Sequence, residues 1–283
     1  MPHFQGENFL LASLPWYDLD EVRPATDAFW DELKRQFRRV GLTKVPEHLT
    51  REVAYEQQWT SPEFLFGQAC GYDVRMAYAD HLQTVATPCY DVPGCQDSNY
   101  RSFVVVREDS DFNDIEDLRS TRCVINTPTS HSGMNVLRAL VAPLHTDGRF
   151  FSAVSMSGSH ERSLRMICQG QVDVAAIDCV THALLAKYRP HELEGTRVIH
   201  HTELVPAPPY VTAYNALPQT LAAMREALLS ALNEPSIKSA KSALMLADVK
   251  ILPDDAYTPI ESLHSLAQDH DYHEIPGQIR TQK

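Results

Sequence analysis

One short stretch of sequence links a predicted strand to a predicted helix: Thr127-Pro128-Thr129-Ser130-His131-Ser132-Gly133. The run from Cys123 to Asn126 predicts the strand, and Leu137, Leu140 and Val141 repeat on one face of the helix. A turn of this kind presents backbone N–H groups at the positive end of a helix dipole. With the hydroxyl groups beside them, these N–H groups predict an anion site that needs no basic residue; a plain helix cap is the alternative.

Strand-like and helical segments alternate along the rest of the chain. Strands are predicted at residues 9–14, 103–106, 123–126 and 172–177. Helices are predicted after an N-cap at Thr26, from Ser61 to about Gly71, up to Pro143, from Ser163 to Gln169, and near Pro218, Pro235 and Pro259. This alternation predicts an α/β fold in which each sheet is mostly parallel and flanked by helices.

Composition narrows the classes of protein. The 283 residues are enough for two lobes, and 43% of them are apolar. A net charge of −12 argues against a nucleic-acid partner, because phosphate backbones require a basic face. No apolar run reaches the length of a membrane span, so membrane insertion is not expected. The first residues do not resemble a secretory signal, which predicts a cytoplasmic protein, or a periplasmic one whose signal was removed.

Several site motifs are absent from the sequence. There is no GxxxxGK[ST], GxGxxG, HExxH or GxSxG pattern, so we expect neither a cofactor nor a bound metal. The pair His200-His201 is interpreted as a solvated strand end. None of the six cysteines forms a Cys-x-x-Cys pair. Cys89 and Cys95 flank a short loop, and the sequence leaves open whether they are bridged or are two free thiols.

Two further polar positions are candidates for ligand binding. His160 lies in a hydroxyl-rich and glycine-containing stretch before a helix, where it is a candidate hydrogen-bond donor or base. Asp178 ends a predicted strand, which is where ligands gather in open α/β sheets. The structural alternative is the same for both residues, namely a role in capping the helix that follows.

Three tyrosines are candidates for lining a cleft. Tyr17, Tyr90 and Tyr100 each fall in a loop rich in Pro, Asp or Gly, at the end of a predicted element. Filling of the core is the alternative for each of them.

A series of motifs occurs in a recognisable order: Asn99-Tyr100-Arg101-Ser102, Val104-Val105-Val106, Asp117-Leu118, Ser130-His131-Ser132-Gly133, Gly158-Ser159-His160, Gln171-Val172-Asp173-Val174-Ala175-Ala176 and Val205-Pro206-Ala207-Pro208-Pro209. As a set, this series resembles the phosphate, phosphite and phosphonate substrate-binding proteins of ABC importers. The resemblance covers residues 100–211 well and the N-terminal third more loosely.

The resemblance implies a type II periplasmic-binding-protein fold with a small oxyanion in the cleft between two lobes. The predicted crossings place residues 1–101 and 202–283 in the first lobe and residues 102–201 in the second. By resemblance, the turn Ser130, His131 and Ser132 grips the anion. His160 takes the place of the family histidine, and Tyr100 that of a family aromatic. The implied partners are a small anionic ligand and the membrane subunits of an ABC transporter, with a sensor as another user of the ligand.

Two departures from the family pattern bear on the ligand. Members that bind amino-phosphonates carry carboxylates near the positions of Val180 and Pro208, and neither residue is acidic here. An amino-phosphonate is therefore not expected. His131 replaces the family's Ser or Thr in the grip and adds a donor that would be charge-assisted if protonated. An enzyme on the same fold, related to thiamine-pyrimidine synthases, is the alternative function, although no nucleophile–base triad is found by motif.

Overall fold

The computed structural model describes residues 11–275, so Phe9 and Leu10 of the first predicted strand lie outside the described residues. The strands are β1 Leu11–Ser13, β2 Phe64–Gln68, β3 Leu82–Tyr90, β4 Asn99–Tyr100, β5 Ser102–Arg107, β6 Arg122–Ile125, β7 Ala153–Met156, β8 Val174–Asp178, β9 Thr196–His201, β10 Val205–Pro206, β11 Tyr210–Ala213 and β12 Leu246–Lys250. The helices are α1 Arg23–Arg39, α2 Tyr55–Trp59, α3 Val136–Val141, α4 His160–Cys168, α5 Cys179–Tyr188, α6 Pro218–Leu232, α7 Lys238–Ala243 and α8 Thr258–Asp269.

The described chain divides into two compact units. The first contains residues 11–91 and 206–256, and the second contains residues 92–205 and 257–275. The chain therefore passes from one unit to the other three times, after Asp91, Val205 and Ala256. The predicted lobe limits differ from these, most of all in assigning the C-terminal segment to the first lobe.

Non-local contacts explain why the C-terminal segment belongs to the second unit. Ile260 of α8 is completely buried, and its carbonyl oxygen accepts a hydrogen bond from Asn135 Nδ2 at 3.2 Å. Arg138 donates to the carbonyl oxygen of His273 at 2.6 Å, and the rings of His145 and Tyr272 stack with centroids 5.2 Å apart. These partners are more than 100 residues apart in sequence, so no local pattern announces them.

The sheet of the first unit has the strand order β1-β2-β11-β3-β12. Strands β1 and β2 are parallel, whereas β11 runs antiparallel to β2 and β3, and β12 antiparallel to β3. The helix predicted from Ser61 to about Gly71 is wrong, because this stretch contains β2. All five residues of β2 are buried, and a strand covered on both faces reads as a continuous apolar run that periodicity cannot distinguish from a helix.

The sheet of the second unit has the strand order β7-β6-β8-β5-β9. Strand β6 is parallel to β7 and to β8, but β5 is antiparallel to both of its neighbours. Both sheets are therefore mixed rather than mostly parallel. Strand β5 is the first strand of its sheet after the chain enters this unit, and β11 is the first after the return. Neither strand follows a helical crossover within its unit, and such crossovers are what join parallel neighbours.

Of two predicted helix boundaries, one is wrong and one is confirmed. The predicted N-cap at Thr26 is wrong, since α1 begins at Arg23 with Pro24 in its first turn. Thr26 lies inside the helix and donates its hydroxyl to the carbonyl of Val22 at 3.3 Å. Pro143 does end the helical segment as predicted, within a 3-10 turn at Ala142–Leu144 that follows α3.

Across residues 11–275, none of the helices combines the length and the apolar character needed to cross a bilayer. In the same part of the chain, no group of three or more His, Cys, Asp or Glu side chains is arranged to hold a metal ion.

Candidate functional site

One edge of the second unit's sheet collects most of the candidate residues. Strands β6, β7 and β8 are mutually parallel, so their carboxyl ends lie at the same edge, and antiparallel β5 starts there because Ser102 pairs with Asp178. The turn after β6 carries Ser130, the segment after β7 leads to His160, and Tyr100 precedes β5. The carboxyl edge of an open α/β sheet is the usual place for a ligand.

Ser130 caps the helical segment that begins at His131. Its Oγ accepts a hydrogen bond from the backbone N–H of Gly133 at 3.0 Å, and the first turn is a π-helical one. A side chain at position 133 would collide with Asn126, since a Cβ atom there would stand 2.0 Å from Asn126 Oδ1. The glycine thus lets the start of the helix approach the end of β6 closely.

His131 is held in one orientation by a chain of hydrogen bonds. Arg138 donates to Asn135 Oδ1 at 2.9 Å, and a guanidinium only donates, so the amide nitrogen of Asn135 must face His131. That nitrogen lies 3.2 Å from His131 Nδ1, which is therefore an acceptor. In the neutral ring the proton must then sit on Nε2, which makes that nitrogen the donor of the ring.

Ser132 and His160 form the second polar contact at this edge. Ser132 Oγ lies 2.8 Å from His160 Nε2, across 28 residues of sequence. His160 is the first residue of α4, whose N-cap Ser159 accepts a hydrogen bond from Arg162 N–H at 3.2 Å. Gly158 has a φ of +90°, which supplies the left-handed turn that brings His160 toward Ser132.

Both histidines are neutral at neutral pH. Burial lowers the pKa of His131 to about 3. Burial also lowers the pKa of His160 to about 4, and the backbone carbonyl of Ala176 opposes this shift. The residue as a whole is only half-buried, but its Nδ1 atom is fully enclosed. The expected charge-assisted donor at His131 is therefore replaced by a neutral N–H donor.

Asp178 and Tyr100 complete this edge. Asp178 is the N-cap of α5, and its Oδ1 accepts from the backbone N–H groups of Val180 at 2.6 Å and Thr181 at 3.0 Å. The helix-cap alternative for Asp178 is thus what the structure shows for this oxygen. Tyr100 is buried, and its ring centroid lies 6.4 Å from that of His131.

The two remaining candidates, Tyr17 and Tyr90, belong to the first unit and contact each other. Their ring centroids are 5.2 Å apart in an edge-to-face arrangement. Tyr17 has a φ of +68°, a left-handed conformation that is uncommon for a bulky residue. Gln68 donates to the hydroxyl oxygen of Tyr90 at 3.1 Å and to the carbonyl oxygen of Pro208 at 2.9 Å.

A cavity of about 270 Å³ also lies in the first unit, beside the ion pair of Asp18 and Arg51. Neither Tyr17 nor Tyr90 lines it.

Three residues that orient candidate side chains were missed from sequence. Asn135 and Arg138 follow His131 at helical spacings of four and then three residues, which is a usable signal once a helix is predicted there. Gln68 carried no such signal, because its partner Pro208 is 140 residues away.

Solved structures similar to this chain confirm the predicted type II periplasmic-binding-protein fold. A binding protein component of an ABC phosphonate transporter from Pseudomonas aeruginosa has a TM-score of 0.77 and 17% identity, covering 94% of this chain and 88% of its own. PhnD1 from Prochlorococcus marinus in complex with methylphosphonate has a TM-score of 0.73 and 16% identity, covering 94% and 100%. A Xanthomonas citri protein bound to chloride ion has a TM-score of 0.72 and 16% identity, covering 95% and 100%.

No curated protein matches this chain in sequence. Residues 11–257 match the family described as "ABC transporter, phosphonate, periplasmic substrate-binding protein". That match covers most of the 283 residues, so the chain belongs to this family of substrate-binding proteins for transport, and not to the enzymes of similar fold.

Proposed function

We propose that this protein binds a small tetrahedral oxyanion, a phosphonate or phosphate, in the periplasm and delivers it to the membrane subunits of an ABC importer. Ser130, His131 and Ser132 would supply the hydrogen bonds to the anion, and His160 would orient the hydroxyl of Ser132. The observation that carries the proposal is the 2.8 Å contact between Ser132 Oγ and His160 Nε2, beside the capped turn at Ser130.

The donor and acceptor roles within the Ser132–His160 contact depend on the ring's proton. With the proton on Nε2, His160 donates to Ser132 Oγ and leaves the serine O–H to donate to a ligand. With the proton on Nδ1, Ser132 must donate to the ring and offers a ligand only lone pairs. An anion needs donors, so a bound ligand would favour the first arrangement, against the backbone carbonyl of Ala176, which favours a proton on the ring nitrogen that faces it. The role of His160 is then to orient the serine hydroxyl.

Ser130 and His131 offer donors of the same neutral kind. Ser130 Oγ accepts from Gly133, so its hydroxyl hydrogen remains a donor, and His131 carries its proton on Nε2. A net charge of −12 repels anions at long range, which means that affinity must come from such local donors. Neutral donors around an anion discriminate by geometry and protonation state more than by charge.

The remaining candidates are the three tyrosines and Asp178. Tyr100 would pack beside the ring of His131 and exclude water from it. In the first unit, Tyr90 would contact the ligand; its hydroxyl oxygen accepts from Gln68, and Tyr17 packs edge-to-face against its ring. For Asp178 the capping of α5 accounts for the position of the carboxylate, so we give it no ligand role.

Calorimetric titration with methylphosphonate and phosphate tests the proposal. Hydrogen bonds to a charged group contribute roughly 1.5–3 kcal/mol, so Ser132→Ala should weaken binding about tenfold to a hundredfold. Ser152→Ala is the matched control, since Ser152 precedes β7 at the opposite edge and donates to the carbonyl of Thr121 at 3.0 Å. Unchanged affinity in Ser132→Ala would place the ligand elsewhere.

A double-mutant cycle tests the orienting role of His160. If His160 acts through Ser132, then Ser132→Ala, His160→Ala and the double variant should weaken binding less than additively. Additive losses would mean that each side chain contacts the anion independently.

An aminoalkylphosphonate should bind more weakly than methylphosphonate, because neither Val180 nor Pro208 offers a carboxylate to its amine.

A further inference from the structure

Two thiols of the second unit lie side by side although 84 residues separate them in sequence. Cys95 Sγ and Cys179 Sγ are 3.6 Å apart. Cys179 is buried as the first residue of α5, while Cys95 is partly exposed in the loop that follows β3. The sequence leaves open whether Cys95 is bridged to Cys89 across a short loop or is a free thiol.

The backbone on both sides of this contact is held closely. Gly94 has a φ of +96°, and a Cβ atom at its position would lie 2.7 Å from the Cβ of Cys179. The loop therefore packs its backbone against Cys179, which only glycine allows. The N–H of Cys95 donates to Val92 at 3.1 Å, and the N–H of Cys179 donates to Arg101 at 3.1 Å. Backbone packing and hydrogen bonds thus hold the two cysteines next to each other.

We propose that Cys95 and Cys179 form a disulfide bond in an oxidising compartment, an inference that rests on the proposed periplasmic location of the protein. Disulfides persist in the periplasm and are rare in reducing compartments. Bond formation requires the sulfur atoms to approach from 3.6 Å to about 2.05 Å.

The step balances as thiol–disulfide exchange with a disulfide oxidant. The thiolate of the partly exposed Cys95 attacks one sulfur of the oxidant, forming a mixed disulfide and releasing one thiol. The Cys179 thiolate then attacks the sulfur of Cys95 and displaces the second thiol. Two protein thiols lose two protons and two electrons, and the oxidant disulfide is reduced to two thiols.

The bond would tie the loop at residues 92–98 to the start of α5. That helix begins directly after Asp178, at the sheet edge that carries the candidate anion residues. Closing a loop of 84 residues restricts the unfolded chain more than the native one, so the oxidised form should be the more stable one.

The test treats the full chain with oxidised glutathione, blocks the remaining thiols and maps peptides without reduction. We expect a cross-linked peptide of Cys95 with Cys179, a fall from six to four in the reactive thiols counted after unfolding, and a thermal midpoint raised by roughly 5 °C or more over the reduced protein. Cys168→Ser is the matched control and should keep the cross-link, because Cys168 Sγ points to the carbonyl oxygens of Glu192 and Glu194.

Cys95→Ser changes a partly exposed side chain and should abolish both the cross-link and the gain in thermal midpoint. Three results would overturn the proposal: six thiols that stay reactive, a cross-link of Cys89 with Cys95, or glutathione retained on Cys95 as the end product. Methylphosphonate titration of the same samples reports on the proposed function separately, because the cross-link is detected without any ligand.

Discussion

Acid should destabilise this protein through His131. The histidine is 1% exposed, and burial lowers its pKa to about 3, whereas an unfolded histidine titrates near 6.5. As the pH falls below about 6.5, the unfolded chain takes up a proton that the folded chain refuses. The stabilisation from this group is therefore complete above pH 6.5 and is lost as the pH falls toward 3.

The size of the effect follows from the two pKa values. At pH 5 the solution is about 1.5 pH units below the pKa of the unfolded histidine. Protonation therefore stabilises the unfolded state by about 2 kcal/mol relative to pH 8, and the folded protein loses that much stability. At pH 6 the loss is about 0.8 kcal/mol. His160 adds a loss of the same direction, because burial lowers its pKa to about 4 as well.

Urea unfolding at pH 5, 6, 7 and 8 measures the effect, with His131→Gln as the variant. The variant loses the packing of the buried ring and is less stable than the wild type at pH 8, but its stability should fall less steeply with acid, so that the difference between the two proteins narrows by about 2 kcal/mol between pH 8 and pH 5. His48→Gln is the control, since His48 is exposed. Parallel curves for wild type and His131→Gln would refute the argument, because they would mean that His131 is not held neutral by burial.

Three further outcomes follow from the geometry of the same edge. Gly133→Ala should lower the stability measured by thermal unfolding by at least the roughly 1–3 kcal/mol typical of overpacking. Adding Asn126→Ala to this variant should recover part of the loss, because Asn126 Oδ1 is the atom that would clash. An absence of recovery would contradict this explanation. Asn135→Ala should release the ring of His131, so that its Nδ1 becomes protonated in part of the molecules; the nitrogen chemical shifts of the ring measure this, and an unchanged tautomer would show that Asn135 does not set it. Asp178→Ala should lower stability by about 0.5–2 kcal/mol through loss of a helix cap while changing methylphosphonate affinity little, and a large loss of affinity at unchanged stability would restore a ligand role to this carboxylate.

Local signals predicted a substantial part of this fold because they concern neighbouring residues. The strands at β5, β6 and β8 carry runs of β-branched and small apolar residues, and Pro143 removes the N–H that would continue its helix. The turn at Ser130 was found for the same reason, since a serine cap and a following glycine act within a few residues. Such preferences were enough to predict the α/β class, whereas the family was inferred from the resemblance of a whole series of motifs.

The failures of prediction share a different cause. The segment containing β2 was predicted as a helix because a strand buried on both faces has no period-two alternation, and only its position between β1 and β11 makes it a strand. The C-terminal helix α8 joins the second unit through Asn135, Arg138 and His145, whose partners lie about 125 residues away. Nothing in the sequence of α8 itself specifies that choice.

The candidate site likewise has features that local sequence predicts and features that only contacts between distant residues produce. The sequence by itself determined which residue types stand at the ends of the strands, because hydroxyls, glycine and histidine at a strand–helix junction have local capping preferences. Only the tertiary structure brought Ser132 to within 2.8 Å of His160, set the proton of His131 through Asn135, and placed Cys95 beside Cys179. It also made both histidines neutral, since the pKa of a histidine depends on how far folding removes the ring from water, and that degree of burial is decided by distant parts of the chain.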